Sequence, residues 1–387
     1  MKLRLNIDFE KEKFLMFVMD DMANRFEAEG RDVIRMTLGK SELPLHPDIV
    51  GAMQKASGDF KSYTQVFPAG LPELKAELSE YYKLKYGVTA EPQNFIISTG
   101  TSALFRNLFH LLLSRDDEAL IPLPYYSLYH FCALLMGAKV RYYKIDPKTL
   151  RIDFNSFERN FTDKTRVVVI NSPGNPLGNI LTKEELYKID GVVNGQAAVI
   201  NDEIYANVCF DNDGISVMQL RDTKSVFITT DAFSKGYRMY SKRVGYCIVP
   251  NELVTPLTVI QHHTLLTVDP VVQYGAIAAL KHQDDIKTLC GLYKERRDYT
   301  VKKLGDIPGV NPVYSQGGFY ITIDCEEYMK NRNIATSLEL AQKIMESECV
   351  AAVPGSDFGL PYTLRLSFSS LKYNEGIDRL VKFFSLY

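Results

Sequence analysis

Seven short apolar segments, rich in β-branched and aromatic residues, recur between residues 95 and 250, with helix-like stretches between them. Continuous apolar runs of this length are typical of strands that are buried on both faces. Strands separated by helices need crossover connections. The pattern therefore predicts an α/β fold with a mostly parallel seven-stranded sheet between helices. The predicted strands are 95–98, 119–121, 140–143, 167–170, 197–200, 226–229 and 244–248.

The pattern changes after about residue 285, where a smaller α+β unit is predicted. Its expected strands and helices are short and alternate irregularly. They are a charged amphipathic helix at 292–304, strands at 319–323, 350–353 and 363–367, and helices at 337–348 and 374–384. We therefore predict a large domain at 46–285 and a small C-terminal domain at 286–387. The N-terminal segment 1–45 is expected to pack with the small domain.

Length and charge narrow the class of protein. A chain of 387 residues suits one large domain plus a smaller one. Its 45 Lys and Arg balance 47 Asp and Glu, so no basic excess points to nucleic acid. No apolar run approaches the ~18 residues of a membrane helix, and the charged N-terminus lacks signal-peptide features. The six scattered cysteines form no CxxC pair, so reduced thiols are expected. A soluble cytoplasmic enzyme is the expectation.

The residues after the first predicted strand suggest an anion site. Ligands of parallel sheets bind at the carboxyl ends of the strands. Segment 95–98 leads into Gly100, Thr101 and Ser102 at the start of a helical stretch. Free backbone N–H groups and the positive end of the helix dipole favour phosphate there. An ordinary N-cap formed by Thr101 or Ser102 explains the same residues without a ligand.

Three later strands are also followed by candidate functional residues. The loop 171–178 contains two prolines, two glycines and two asparagines, and such a rigid loop can aim the Asn175 amide at a ligand. Asp202 follows 197–200, where a buried carboxylate is costly without a partner, although a helix N-cap is the alternative. Lys235 follows 226–229, where a solvated loop charge is the usual interpretation.

The order and spacing of these motifs resemble the class I and II aminotransferases. Four motifs carry the resemblance: Asn-Pro-x-Gly at 175–178, Asp-x-x-Tyr at 202–205, Ser-Lys at 234–235 with Arg eight residues on, and Arg-Leu-Ser at 365–367. This aspartate-aminotransferase-like family contains pyridoxal 5'-phosphate (PLP) enzymes of fold type I. The resemblance extends from about residue 33 to the C-terminus, and it implies that domain 46–285 binds PLP.

The resemblance assigns roles around the cofactor ring. Lys235 matches the lysine that forms the internal aldimine with PLP and then acts as general base. Asp202 matches the aspartate that keeps the pyridine nitrogen protonated. Tyr205 and Asn175 match the pair that binds the phenolic oxygen.

Further matches concern the cofactor phosphate. The resemblance implies that Gly100, Thr101 and Ser102 hold it through their backbone and hydroxyl groups. Arg243 matches its charge partner. Tyr63 matches a tyrosine that reaches the phosphate in the neighbouring subunit, which implies a homodimer with shared active sites.

The remaining matches concern the ring face and the substrate. Tyr126 matches an aromatic ring that stacks on the pyridine, with Tyr125 as the alternative. Arg365 matches the arginine that binds the substrate α-carboxylate through two parallel hydrogen bonds. Gly39 matches a backbone contact to the same carboxylate, and Asn175 also belongs to this substrate-binding group.

The chain departs from the family pattern near the lysine. Ala232 stands where many members have a phosphate-binding serine. Arg238 is either a second phosphate partner or a solvated charge. His262 and His263 lie in a segment where many members contact substrate or phosphate, and they either line the pocket or are ordinary surface or core residues.

The leading hypothesis is a PLP-dependent aminotransferase that moves the amino group of an L-amino acid to a 2-oxo acid. The alternative is a PLP enzyme of elimination, replacement or cyclisation, acting on a modified amino acid that is possibly arginine-derived. A non-catalytic regulator of the same fold is disfavoured, because the residues matched to catalysis are retained. GxGxxG, GxxxxGK[ST], HExxH and GxSxG motifs are absent, so no dinucleotide, P-loop or metal site is expected.

Overall fold

The fold is taken from a computed structural model, which describes residue 7 and residues 14–386. The strands are β1 (Ile34–Arg35), β2 (Phe95–Ser98), β3 (Glu118–Leu123), β4 (Lys139–Lys144), β5 (Thr165–Asn171), β6 (Ala198–Asp202), β7 (Val226–Ala232), β8 (Gly245–Ile248), β9 (Asn311–Pro312), β10 (Tyr320–Asp324), β11 (Val350–Ala351), β12 (Val353–Pro354) and β13 (Thr363–Ser367).

The α-helices separate these strands through most of the chain. They are α1 (Leu15–Ala28), α2 (Pro47–Ser57), α3 (Lys61–Thr64), α4 (Pro72–Tyr86), α5 (Thr101–Leu112), α6 (Ser127–Leu135), α7 (Phe154–Asn160), α8 (Lys183–Val193), α9 (Asn251–Thr264), α10 (Pro270–Leu280), α11 (Gln283–Leu304), α12 (Glu326–Asn331), α13 (Ser337–Glu348) and α14 (Tyr373–Leu386).

The seven predicted segments form one seven-stranded sheet in the order β2-β8-β7-β6-β5-β3-β4. Strand β8 runs antiparallel to both of its neighbours, and the other neighbouring pairs are parallel. The prediction of a mostly parallel sheet is therefore confirmed. Six of the strands point the same way, so their carboxyl ends meet along one edge of the sheet.

Both faces of this sheet are covered, as continuous apolar runs require. In β5, Val167 and Val169 pack into one core cluster, whereas Val168 and Ile170 pack into another, and all four are fully buried. Alternate side chains of a strand point to opposite faces, so the two clusters lie on opposite sides of the sheet. A strand with apolar residues at every position is stable only in such a layered fold.

The C-terminal unit contains a four-stranded antiparallel sheet in the order β12-β13-β10-β9. The helices predicted at 337–348 and 374–384 are confirmed as α13 and α14. The single strand predicted at 350–353 is wrong in one respect, because it divides at Ala352. Strand β11 pairs in parallel with β1, whereas β12 joins β13. Helix α11 also starts nine residues earlier than predicted, with Asp284 and Asp285 in its first turn stabilising that end.

The N-terminal segment contacts this smaller unit. Strand β1 pairs with β11, and Met19, Met22 and Ala23 of α1 share a core cluster with residues of the C-terminal unit. The predicted packing of segment 1–45 with the small domain and the predicted domain boundaries stay predictions. Residues 1–6 and 8–13 of that segment lie outside the described residues.

Two further expectations concern the cysteines and the membrane. All six cysteines are free thiols. In the part of the chain that the structure describes, no helix combines the length and the apolar character needed to span a membrane.

Candidate active site

A cavity of about 230 Å³ lies at the carboxyl edge of the seven-stranded sheet. Residues from both sheets and from the N-terminal segment line it. Most residues singled out in the sequence meet here: Gly39, Thr101, Ser102, Tyr126, Asn175, Asp202, Tyr205, Lys235, Arg243 and Arg365. They come from strand ends far apart in sequence, as expected where parallel strands end together.

Lys235 lies three residues beyond the end of β7 and is buried. Its Nζ donates a 2.7 Å hydrogen bond to the carbonyl oxygen of Gly39. Burial lowers the pKa of the amine, and the charges of Arg365 and Arg243 lower it further, whereas Tyr320 opposes the shift. The result is a lysine that gives up its proton more readily than a solvated one, as a nucleophilic amine must.

Asp202 ends β6 and is buried at the base of the cavity. Burial raises the pKa of its carboxyl group to about 6, although a 2.7 Å hydrogen bond from the Tyr129 hydroxyl to Oδ2 favours the ionised form. A cationic partner inside the cavity would stabilise the carboxylate further. The sequence did not identify Tyr129, because its contact joins residues 73 positions apart.

The N-terminus of α5 has the properties of a phosphate cradle. Its N-cap is Gly100, with φ +79°, and no side chain caps the helix, so the expected capping by Thr101 or Ser102 is wrong. A Cβ at Gly100 would lie 2.6 Å from Nη2 of Arg243. Only glycine therefore lets the guanidinium approach this backbone. Uncapped N–H groups next to a cation form a site for a dianion.

The guanidinium of Arg243 is held over this helix end by backbone oxygens. Nη1 donates to the carbonyl of Tyr240 at 3.1 Å, and Nη2 donates to that of Thr99 at 3.5 Å. Arg243 itself has φ +55°, a strained conformation for a residue with a side chain. These contacts orient the guanidinium and leave its charge available to an anion in the cavity.

Arg365 projects from β13 towards the same cavity and is buried. Its Nη1 donates to Asn175 Oδ1 at 3.1 Å and its Nη2 to the carbonyl of Thr37 at 2.7 Å. Its Nε has no hydrogen-bond partner although it is buried. The guanidinium carbon lies 3.9 Å from the centre of the Tyr320 ring. A buried guanidinium without a carboxylate partner is suited to bind a substrate carboxylate.

Tyr320 of β10 connects Lys235 with Arg365, and the sequence analysis missed it. Burial raises the pKa of its hydroxyl, but the charges of Lys235 and Arg365 outweigh burial, so the pKa is lowered. The hydroxyl also hydrogen-bonds to Lys235 and to Tyr205. A tyrosine in an apolar strand carries no local signal of this role. It becomes visible only when the antiparallel pairing of β10 with β13 is known.

The structure places several other sequence candidates away from the cavity. Tyr63 lies on α3 with 66% of its surface exposed, and its ring packs against Phe60. Tyr125 packs against His130, whereas Tyr126 lines the cavity. The placement therefore favours Tyr126 as the ring that faces a ligand.

Both expectations for Arg238, a second phosphate partner and a solvated charge, are wrong. It is buried and forms an ion pair with Asp285 at 2.5 Å, and its Nε donates to the carbonyl of Pro44. It is therefore neither a phosphate partner nor a solvated charge. Its contacts fix the loop after Lys235 to the start of α11 and to the N-terminal segment.

The structure also places the histidine pair and Ala232, which stands where many family members have a serine. His262 and His263 are exposed in the last turn of α9 and do not line this chain's cavity. Ser234 and Ser241 line it instead, so hydroxyl groups are available near Arg243 although position 232 is alanine.

The sequence matches the family described as aminotransferase class I and II over residues 31–384. It is 31% identical to a probable aspartate/prephenate aminotransferase of Aquifex aeolicus over 370 residues, which cover 93% of each chain. It is 29% identical to an aspartate aminotransferase of Bacillus subtilis over 369 residues, again 93% of each chain. The solved alanine aminotransferase of Pyrococcus furiosus is 27% identical and superposes with a TM-score of 0.89, covering 97% of this chain and 98% of that one.

Proposed function

The chain belongs to the class I and II aminotransferases and is a PLP-dependent transaminase, and we propose that it transfers amino groups in the cavity around Lys235. One observation carries this assignment to the cavity. A buried lysine, a buried aspartate, an uncapped helix N-terminus with an arginine beside it, and a second arginine without a carboxylate partner all converge there.

The residues of the cavity fit the cofactor. The N-terminus of α5 and Arg243 would hold the phosphate. Asp202 would hold a proton on the pyridine nitrogen, and that positive charge is the cationic partner its buried carboxylate lacks. Asn175 and Tyr205 would donate to the phenolic oxygen, while the ring of Tyr126 would cover one face. When bound, PLP supplies an electron sink for the negative charge that develops at the substrate α-carbon.

Lys235 moves the proton in this proposal. Its lowered pKa increases the neutral fraction of the amine, and a neutral Nζ can take the proton from the α-carbon. The Gly39 carbonyl and the Tyr320 hydroxyl orient Nζ from the side of the smaller unit.

Arg365 positions the substrate. Its unpartnered Nε and one Nη would bind the α-carboxylate through two parallel hydrogen bonds. Asn175 and the Tyr320 ring hold the guanidinium in place on two sides. An amino acid held in this way presents its α-carbon to Lys235.

The same proposal includes a homodimer and a cytoplasmic location. The exposed Tyr63 supports the dimer, because its hydroxyl would complete the phosphate site of a second copy. Mixing subunits of Tyr63→Ala with subunits of Lys235→Ala tests this directly, because each hybrid dimer would contain one intact site. Activity that appears only on mixing supports a shared site, whereas two inactive or independently active preparations contradict it. Free thiols in all six cysteines suit a reducing compartment.

The alternative of elimination, replacement or cyclisation is not favoured. The relatives and structural neighbour reported above are all named as aminotransferases. The residues around the cofactor serve either chemistry, so the comparisons and not the geometry separate the two.

The test is to incubate the PLP-loaded protein with single L-amino acids and a 2-oxo acid, and to identify products by mass spectrometry. Transamination gives a new amino acid and a new 2-oxo acid in equal amounts. Lys235→Ala should abolish turnover, whereas the matched change Lys242→Ala, outside the cavity, should not. Full turnover by Lys235→Ala contradicts the assignment, and a dehydrated or cyclised product supports the alternative.

A further inference from the structure

The start of helix α1 lies beside the active-site cavity, and a residue distant in sequence holds it there. The backbone N–H groups of Leu15 and Met16 donate to the two carboxylate oxygens of Asp357 at 2.7 and 2.8 Å. The N-cap residue Phe14 provides no side-chain cap of its own. Asp357 therefore caps α1 from the C-terminal unit and fixes where the helix begins.

This anchoring turns one apolar face of the helix start towards the cavity. Phe14 and Met16 line the cavity next to Leu38. Phe17, one residue further on, has 62% of its surface exposed. The apolar lining is therefore a property of two particular positions and not of the whole segment.

The charges of the cavity are already assigned by the proposed function. Among the described lining residues, the cations are Lys235, Arg243 and Arg365, and the one carboxylate is Asp202. Each has a role towards the cofactor or the α-carboxylate. A second carboxylate on the substrate would find no free cation in the part of the lining that this chain supplies, and a cationic side chain would meet three like charges there. Both would be desolvated without a partner, which is costly.

We propose that Phe14 and Met16, together with Leu38, form the wall for the substrate side chain, and that the enzyme selects L-amino acids with apolar side chains over dicarboxylic and cationic ones. Asp357 is the positioning residue for this wall. The inference rests on the proposed function, and it separates this chain from the relatives named for aspartate.

The first test is a substrate comparison with the PLP-loaded, full-length protein. The kcat/KM for L-phenylalanine, L-leucine and L-methionine should exceed that for L-aspartate and L-arginine by about 100-fold or more. A preference for aspartate or arginine overturns the inference but leaves the proposed function intact. Failure to transaminate any amino acid overturns the proposed function itself.

Binding supplies a readout independent of turnover. Calorimetry with 3-phenylpropionate and with succinate compares two ligands that share one carboxylate. They differ in the group that would face the wall, which is a phenyl ring in the first and a second carboxylate in the other. The inference requires 3-phenylpropionate to bind at least about 10-fold more tightly. Equal or tighter binding of succinate overturns it.

Substitutions locate the selectivity. Phe14→Ala and Met16→Ala should each lower kcat/KM for phenylalanine by about 10-fold and that for alanine by less than about 3-fold. The matched change Phe17→Ala should alter neither value. A similar loss for all substrates, or the same effect from Phe17→Ala, contradicts a role in selectivity.

Asp357→Ala tests the positioning role. It should lower the ratio of kcat/KM for phenylalanine to that for alanine by about 10-fold, because the wall is no longer held in place. Asp357→Asn, which keeps one acceptor oxygen, should recover part of the ratio. Asp324 also accepts from a helix N–H, at the start of α12, so Asp324→Ala is the control. An unchanged ratio in Asp357→Ala, even in a less stable protein, refutes the positioning role.

Discussion

Gly39 is the position where the addition of one methyl group should reveal how tightly Lys235 is held. A Cβ at this position would lie 2.5 Å from Lys235 Nζ and would overlap the Tyr320 hydroxyl. Ordinary contacts begin at 3.4 Å, so Nζ would have to move by about 0.9 Å. Tyr320 cannot simply turn away, because its ring packs on Arg365 and Tyr205.

The size of the expected effect follows from this displacement. A shift of ~1 Å in a reacting group costs about 100-fold in rate, which corresponds to about 2.7 kcal/mol. Gly39→Ala should therefore lower kcat by about 100-fold. The atoms that the new methyl group would meet belong to Tyr320 and Lys235 and not to the phosphate cradle at α5, so the Kd for PLP should change by less than about 3-fold. Fluorescence titration with PLP and steady-state kinetics measure the two quantities separately.

Gly51→Ala is the matched control, because a Cβ there meets no atom within 4 Å. Gly51 lies inside α2, where the same change should raise the free energy of unfolding by about 0.5–1 kcal/mol and leave kcat unaltered. The reasoning is refuted if Gly39→Ala keeps more than about a third of the wild-type kcat. It is also refuted if PLP affinity and kcat fall in parallel, because the methyl group would then act on the cofactor site as a whole.

Three further perturbations test other parts of the structure. Tyr320→Phe keeps the ring that packs on Arg365 but removes the hydroxyl at Lys235, so kcat should fall about 10-fold while KM for the amino acid stays within about 3-fold of the wild-type value. Because Tyr320 raises the pKa of Lys235, the acid limb of the pH profile of kcat should also move to lower pH in this variant. Burial raises the pKa of Glu203 from 4.5 to about 8, so its contribution to stability is full below about pH 4.5 and is lost as the pH rises through about 8. The Tm of the cofactor-free protein should therefore decline less between pH 6 and 9 in Glu203→Gln than in wild type. Equal declines in the two proteins would contradict this prediction. Arg238→Ala removes the ion pair with Asp285 and the hydrogen bond to the carbonyl of Pro44. The free energy of unfolding, measured with urea, should therefore fall by about 2 kcal/mol. A fall of less than about 0.5 kcal/mol would show that the ion pair is effectively solvated.

The seven strands could be predicted because each carries its own apolar run, and burial on both faces leaves no other arrangement for such a run. Asp202, Asn175 and Lys235 became candidates for a related reason, but only the family resemblance assigned them their roles, since a solvated loop charge is the usual interpretation of a lysine at such a position. Polar residues that directly follow buried strands meet at one edge whatever the detailed geometry of the loops.

The residues that sequence reasoning missed share a different property, since their roles depend on partners that no local pattern specifies. Asp357 binds backbone groups 341 and 342 residues away, and Tyr129 reaches Asp202 across 73 residues. The strand predicted at 350–353 divides because its two halves pair with different sheets. Each of these features follows from tertiary contacts between the units and not from propensity.

The two units contribute different functions to the cavity. In the proposed function, the ends of the large sheet supply Asp202, Lys235 and the phosphate cradle, which would bind the cofactor. The smaller unit and the N-terminal segment supply Arg365, Tyr320 and the proposed wall at Phe14, which would bind the substrate. The bond from Lys235 to the Gly39 carbonyl and that from Arg365 to Asn175 join the two sets directly. Substitutions at Phe14 should therefore change which amino acid is accepted while the proton transfer at Lys235 is retained, whereas substitutions at Gly39 and Tyr320 should impair that transfer. The similar proteins named for aspartate and for alanine show that chains of this kind carry names for different amino acids, so the side chain that each accepts depends on particular residues of the site and not on the fold.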